Sequence, residues 1–200
     1  MSTNPVRKQP KSIKRGAIVK KLRTMLDQER FAHSLRVEKI ALALAKRWKL
    51  GKELVSMAAL LHDCSRRYQR KELLRQAVKL RLEIDPIRKF EPKLFHAEIS
   101  AVIARKEFGI KSQSVLNAIT SHTVGRPGMS KLEKIIYLAD HIEEGRGFKG
   151  VKKMRKLAFK DLGAAIVASS TNMIEYLLKA SLPVFAGTVQ TRNYYVLDKK

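Results

Sequence analysis

Val37-Glu38-Lys39-Ile40-Ala41-Leu42-Ala43-Leu44-Ala45-Lys46-Arg47-Trp48 is the stretch that decides the fold class. Val37, Ile40, Ala41, Leu44, Ala45 and Trp48 recur at i, i+3, i+4, i+7, i+8 and i+11, the period of one apolar face on an α-helix. That helix is expected to end before Gly51. Outward from it the same period returns. It runs through Met57, Ala58, Leu60 and Leu61, and then through Ile99, Val102 and Ile103 after Pro92. It returns in Val115, Ala118 and Ile119, and in Leu132, Ile135, Ile136 and Ala139. A last long helix is expected over Asp161 to Leu178. Pro127-Gly128-Met129-Ser130 breaks the chain, and Ser130 with Glu133 three residues on has the pattern of a capping box, so the next helix should start near Lys131. No proline falls between Lys11 and Asp85, strand signals are weak, and Pro183 to Lys200 shows no clear period. The expectation is all-α, a helical bundle in a single domain.

Charge and cysteine content narrow the setting. Forty-two Lys and Arg against 18 Asp and Glu give +24, which implies a polyanionic partner. The first carboxylate is Asp27, and eight cations precede it, so Met1 to about Gly16 reads as a disordered basic arm ahead of a domain at 17–200. No apolar stretch approaches the roughly 20 residues needed to span a bilayer. The single cysteine, Cys64, excludes an intramolecular disulfide and a cysteine-rich zinc site, and reads as a buried small side chain rather than a nucleophile. No apolar secretory core follows the basic N-terminus, so a reducing cytoplasm is the expected location.

Chemistry shows where polar residues interrupt the apolar stripes. His33 lies four residues before Val37, His96 three before Ile99, and His122 three after Ile119, while Asp140 lies four after Ile136. A carboxylate on the buried side of a helix costs several kcal/mol unless a metal or hydrogen bonds compensate it. His62-Asp63, at the end of the run from Met57, can turn an imidazole and a carboxylate towards one ion. Any one of these histidines alone reads more simply as a hydrogen-bonded core residue. The set shifts the balance: a His 29 residues before the His-Asp pair and an Asp 77 residues after Asp63, each opening or ending a stripe. Two imidazoles and two carboxylates without a thiolate suit a divalent ion such as iron, manganese or cobalt.

The order His33, His62-Asp63, Asp140 resembles the HD superfamily of metal-dependent phosphohydrolases. Glu29-Arg30-Phe31-Ala32-His33, Leu61-His62-Asp63, Phe95-His96-Ala97, Ser121 to Met129 and Glu133 to Asp140 are more specifically similar to the bacterial symmetrical bis(5′-nucleosyl)-tetraphosphatases. The similarity spans about Lys20 to Tyr195, and its most specific part is His122-Thr123-Val124-Gly125-Arg126-Pro127-Gly128-Met129. It implies an HD-type helical domain that hydrolyses diadenosine tetraphosphate to two ADP, with iron as the metal. Carried over by position, His33, His62, Asp63 and Asp140 ligate the metal, and His62 and Asp63 are the catalytic pair. Arg30, Asp63, Arg66, His96, His122, Thr123, Arg126, Asp140 and Arg146 contact the dinucleoside polyphosphate. Arg30 stands one helical turn before His33 on the same face, so its fork can hold a phosphate beside the metal. His96 and His122 either neutralise phosphate charge or recruit a second metal. Thr123, Gly125 and Arg126 lie in the chain break, where amides and a guanidinium can grip an anion, although the proline and glycine there also read as helix punctuation.

Arg66 stands where the family pattern has a lysine, and Cys64 and His141 where it has aromatic residues. The basic arm lies outside the resemblance and fits a contact with RNA or the ribosome; a homodimer is a further expectation. Three functions are weighed: the symmetrical tetraphosphatase, another HD-type nucleotide phosphohydrolase, and a non-enzymatic RNA-binding protein on the same scaffold. The stretch from His122 to Met129 favours the first over the second. The intact His33, His62, Asp63 and Asp140 speak against the third, as does the scarcity of aromatics that stack bases, which make up 6% of the chain.

Overall fold

The apolar stripe at Val37 to Trp48 belongs to a helix that begins earlier, because Asp27 accepts a hydrogen bond from the Arg30 amide (2.8 Å) and caps it. The computed structural model describes residues 14–198, so residues 1–13 of the expected basic arm lie outside the described residues; Arg15 and Gly16 already belong to the first helix. In chain order the helices are α1 (Arg15–Met25), α2 (Gln28–Trp48), α3 (Lys52–Leu61), α4 (Arg70–Lys79) and α5 (Pro86–Phe90). A 3-10 turn (Pro92–Phe95) leads into α6 (His96–Phe108) and α7 (Gln113–Ser121). Then come α8 (Lys131–Ile142), α9 (Val151–Ala158), α10 (Leu162–Lys179) and α11 (Ala186–Leu197). No strand occurs among the described residues, as the weak strand signals implied.

α3 is the axis. Val55, Ser56 and every residue from Ala58 to Leu61 are buried, as expected of a helix apolar nearly all round, and α3 packs against α1, α2, α6, α7 and α8. Burying each Leu of this helix contributes roughly 1.5–3 kcal/mol. The apolar core is continuous from Ile18 to Tyr195. The chain break before α8 behaves as anticipated: Ser130 Oγ accepts from the Glu133 amide (3.3 Å) while Glu133 Oε2 accepts from the Ser130 amide (2.8 Å).

The C-terminal segment, which shows no clear period in sequence, is nevertheless helical. Residues 186–197 form α11, which packs on α10. Its buried residues are Thr188, Thr191 and Tyr195, so the face turned inward is mostly polar and carries no apolar stripe. Thr191 Oγ1 donates to the Val124 carbonyl (2.9 Å), and the Tyr195 hydroxyl accepts from the Met129 amide (2.8 Å). Gly125, at φ 72°, lies so close that a Cβ would stand 2.5 Å from Thr191 Cγ2. α11 therefore clamps the loop from Val124 to Met129 in place. Among the described residues no helix is long and apolar enough to cross a membrane.

Candidate metal centre and adjoining cleft

Five helices deliver their polar residues to one point, nearly all from helix ends. His33 lies in the second turn of α2, His62 caps α3 with Asp63 beside it, His96 opens α6, His122 caps α7, and Asp140 sits in the last turn of α8. His33 Nε2 is 3.3 Å from His62 Nε2 and 3.1 Å from Asp140 Oδ1. Asp63 Oδ2 is 3.9 Å from both the His33 and His62 Nε2 atoms, and His62 Nε2 is 3.9 Å from Asp140 Oδ1. The other oxygen of Asp63 faces a second group: Oδ1 is 3.2 Å from His96 Nε2 and 3.7 Å from His122 Nε2, and those two nitrogens are 2.9 Å apart. Three overlapping triads, His33/His62/Asp63, His62/His122/Asp140 and Asp63/His96/His122, each bring their donor atoms within 4.8 Å of one another.

The imidazoles are held in one orientation by what lies behind them. His62 Nδ1 meets the Ala59 carbonyl (2.7 Å), His122 Nδ1 the Ile119 carbonyl (2.7 Å), and His96 Nδ1 the Lys93 carbonyl. His33 Nδ1 lies 3.4 Å from Glu143 Oε1. A carbonyl accepts only from N–H, so Nδ1 carries the proton and Nε2 presents its lone pair to the centre, the arrangement that fixes a metal-ligating histidine. Glu143 is itself buried and held by Arg36 Nε (2.8 Å) and the Gly145 amide (2.5 Å). The sequence gave no sign of Glu143 beyond its place after α8.

The electrostatics suit a cation. Burial raises the carboxyls of Asp63 and Asp140, yet the surrounding imidazoles outweigh it and hold both well below the usual carboxylate range. Burial pushes His62 down to about 4, so it is neutral near pH 7. Burial also works against a charge on His122, but the hydrogen bond and charge of Asp63 win and hold it above its ordinary value. Two ionised carboxylates, Asp63 buried and Asp140 partly buried, beside the neutral His62 suit the donor set of a divalent metal site.

Four of the expected phosphate ligands flank this centre. Arg30 Nη1 lies 3.4 Å from Asp63 Oδ2, and Arg146 Nη2 lies 2.7 Å from Asp140 Oδ1 while its Nε donates to the Asp140 carbonyl (2.9 Å). Arg66 is partly buried beside Asp63, Arg30 and Asp140, and its side chain forms no hydrogen bond or ion pair among the described residues. Thr123 Oγ1 is 3.1 Å from His96 Nε2 and 3.2 Å from His122 Nε2. Arg126 is different. Its Nε and Nη2 are 2.7 and 2.8 Å from the two oxygens of Glu133, and Nη1 donates to the Pro127 carbonyl (3.1 Å). With its fork closed on a buried carboxylate, Arg126 pins the loop rather than offering itself to a phosphate.

His141 is not a member of any triad: Nδ1 accepts no role there but meets the Tyr137 carbonyl (2.8 Å), and the ring lies against Tyr137 with centroids 4.6 Å apart. Cys64 is fully buried, its thiol pushed up to about 12 by burial, and its Sγ contacts the Ser100 carbonyl (3.5 Å), as an inert packing residue should. A cleft of about 420 Å³ opens from Asp140, His141 and Thr123 towards Arg146, Phe148 and the face of α10. The α10 residues were read from sequence only as a helix.

Residues 30–145, which carry all six of these histidine and aspartate positions, match the profile of the HD domain. The chain belongs to the HD-domain family. This HD domain is similar over nearly its whole length to proteins named bis(5′-nucleosyl)-tetraphosphatase, symmetrical. The one from Halalkalibacterium halodurans is 38% identical over 93% of this chain and 99% of its own length. The Bacillus subtilis protein is 36% identical over 88% and 94%. A solved structure described as a predicted HD superfamily hydrolase involved in NAD metabolism, from Clostridium acetobutylicum, superposes with a TM-score of 0.89 at 35% identity, covering 93% of this chain and 98% of that chain.

Proposed function

We propose that the protein is a divalent-metal-dependent hydrolase that cuts diadenosine tetraphosphate symmetrically into two ADP. The supporting observation is the pair of ionised carboxylates, buried Asp63 and partly buried Asp140, set among four imidazoles whose Nδ1 atoms are all occupied. The relatives in H. halodurans and B. subtilis carry the name of that activity. His33, His62, Asp63 and Asp140 would hold the metal, and the donor set favours iron, with manganese and cobalt as neighbours in chemistry. A divalent ion there supplies Lewis acidity to water and to a phosphoryl oxygen.

The chain's own groups do the rest. Asp63, held far below its ordinary value, is a poor store for a proton, so it orients the attacking water through the hydrogen bond it accepts. His62, neutral and rigid, keeps that carboxylate and the metal in register. Water adds to a central phosphorus, the bridging P–O bond breaks, and the ADP oxygen leaves with the electron pair. His122, raised towards its protonated form and next to Thr123, stands where it can neutralise that oxygen, with His96 beside it. Arg30, Arg66 and Arg146 take the flanking phosphates, and their fixed positions stabilise charge that spreads over the oxygens at the transition state. We infer a cytoplasmic setting and a single domain that opens with α1.

A second reading of the metal centre is favoured by the Asp63/His96/His122 triad, which offers three donors on the far oxygen of Asp63. In that reading Asp63, His96 and His122 would hold a second ion, which would supply positive charge beside the leaving phosphate. Hydrolysis of diadenosine tetraphosphate with metal analysis of the same sample tests both. ADP as sole product, dependent on bound metal, is expected; ATP plus AMP, or no turnover by metal-loaded protein, would sink the proposed reaction. One or two ions per chain decides between the two arrangements.

A further inference from the structure

Four residues of α10, Ser169, Asn172, Met173 and Tyr176, fall at i, i+3, i+4 and i+7, so they form one helical stripe, and all four line the cleft that opens from Asp140. Two of them are polar groups without partners. Ser169 is 2% exposed, and its Oγ closes no hydrogen bond of normal geometry although Tyr137 is its neighbour. The half-buried carboxamide of Asn172 likewise makes no hydrogen bond among the described residues. A buried hydroxyl without a partner is rare in folded proteins and calls for an explanation, such as a ligand that supplies the partner. The walls around the pair are apolar or aromatic, from Met173, Tyr176 and Phe148, while Arg146 supplies positive charge at the end next to Asp140. A cavity of about 420 Å³ with an apolar lining and a few convergent polar groups is the size and character of a small-ligand site.

We propose that this α10 stripe is a base-reading subsite, in which Asn172 and Ser169 hydrogen-bond the edge of an adenine whose phosphates run past Arg146 to the metal centre. A carboxamide presents a donor and an acceptor side by side, the complement of adenine's amino group and ring nitrogen; guanine offers an oxygen where adenine has its amino group. Met173 and Tyr176 supply the apolar surface on which the ring lies. The subsite rests on the proposed reaction for its substrate but not for its existence, since it binds product ADP as well.

Calorimetry with ADP, GDP and inorganic pyrophosphate on the metal-loaded full chain tests it, using Asn172→Ala and Ser169→Ala. Asn172→Ala is expected to weaken ADP about tenfold and to erase the preference for ADP over GDP, the loss of one good bidentate contact. Pyrophosphate binding and metal content should not move, and Ser169→Ala should act in the same direction with a smaller effect. If both variants retain metal and helical content, and the ADP-to-GDP ratio is that of the unaltered protein, the subsite is refuted. Should Asn172→Ala fold poorly, Ser169→Ala carries the same readout. A protein that reads ADP through Asn172 yet fails to cut diadenosine tetraphosphate would refute the proposed reaction and leave the subsite standing. The converse result would do the opposite.

Discussion

The two ends of α8 each bury a carboxylate against an arginine, and the two carboxylates do different work. At the N-terminal end Glu133 is fully subscribed: both oxygens meet the fork of Arg126, Ser121 Oγ donates to it at 2.7 Å, and the Ser130 amide at 2.8 Å. At the C-terminal end Asp140 has Arg146 on Oδ1 and otherwise faces the Nε2 atoms of His33 and His62, whose Nδ1 atoms are engaged elsewhere. A saturated carboxylate is a rivet. One whose remaining neighbours are ring nitrogens awaits a cation. Burial alone does not distinguish them; the count of protons offered by the neighbours does.

The largest effects should come from the Asp140 end. Asp140→Ala or Asp63→Ala is expected to abolish metal retention and to lower turnover by at least about a thousandfold, while far-ultraviolet circular dichroism stays helical. A variant that keeps full activity would break the contrast outright. Glu133→Ala should do the reverse, removing on the order of 3 kcal/mol of stability by stranding buried donors, with metal stoichiometry intact. Denaturant melts paired with metal analysis read both quantities at once. The two arginines sharpen the same point more gently. Arg66→Ala should raise KM roughly tenfold or more through loss of a charge-assisted phosphate contact, whereas Arg126→Ala should lower the melting midpoint and leave KM nearly unchanged. If Arg126→Ala instead raises KM at unaltered stability, the loop guanidinium does reach the substrate.

A smaller effect concerns pH. His122 sits above its ordinary value, so in metal-free protein its contribution to stability is full below about pH 6.5 and is lost as pH rises through the raised value. If His122 ligates an ion, binding needs the neutral ring, and the metal-dependent gain in stability must grow as pH rises through that same value. Thermal melts with and without chelator should therefore diverge as pH rises through it. Parallel slopes would assign His122 to the phosphates alone.

How much of this could be read in the sequence follows the same division. His33, His62, Asp63, His96, His122 and Asp140 were visible because each interrupts or ends an apolar stripe, and stripes survive in a linear reading. The capping pattern of Ser130 and Glu133 was visible for a similar reason, being local. That Glu133 also captures Arg126 was not, since both the cap and the ion pair are satisfied by one carboxylate and the sequence advertises only the cap. Arg126 and Arg146 look equivalent until their partners are placed. α11 escaped because Thr188 and Thr191 are what it buries, while Val189 and Leu197 remain exposed. Nor does any spacing rule announce that Glu143 stands behind His33, or that one stripe of α10 faces the metal centre.

The clamp that α11 places on the loop has a consequence in time. Val124 and Met129 receive their anchors from Thr191 and Tyr195, residues made long after the last expected metal ligand, Asp140, has been joined to the chain. During synthesis the metal pocket can thus be assembled while the loop from Val124 to Met129 is still untethered, and α11, made later, locks it. A chain truncated before Thr191 should take up metal yet show a loop open to limited proteolysis between Val124 and Met129.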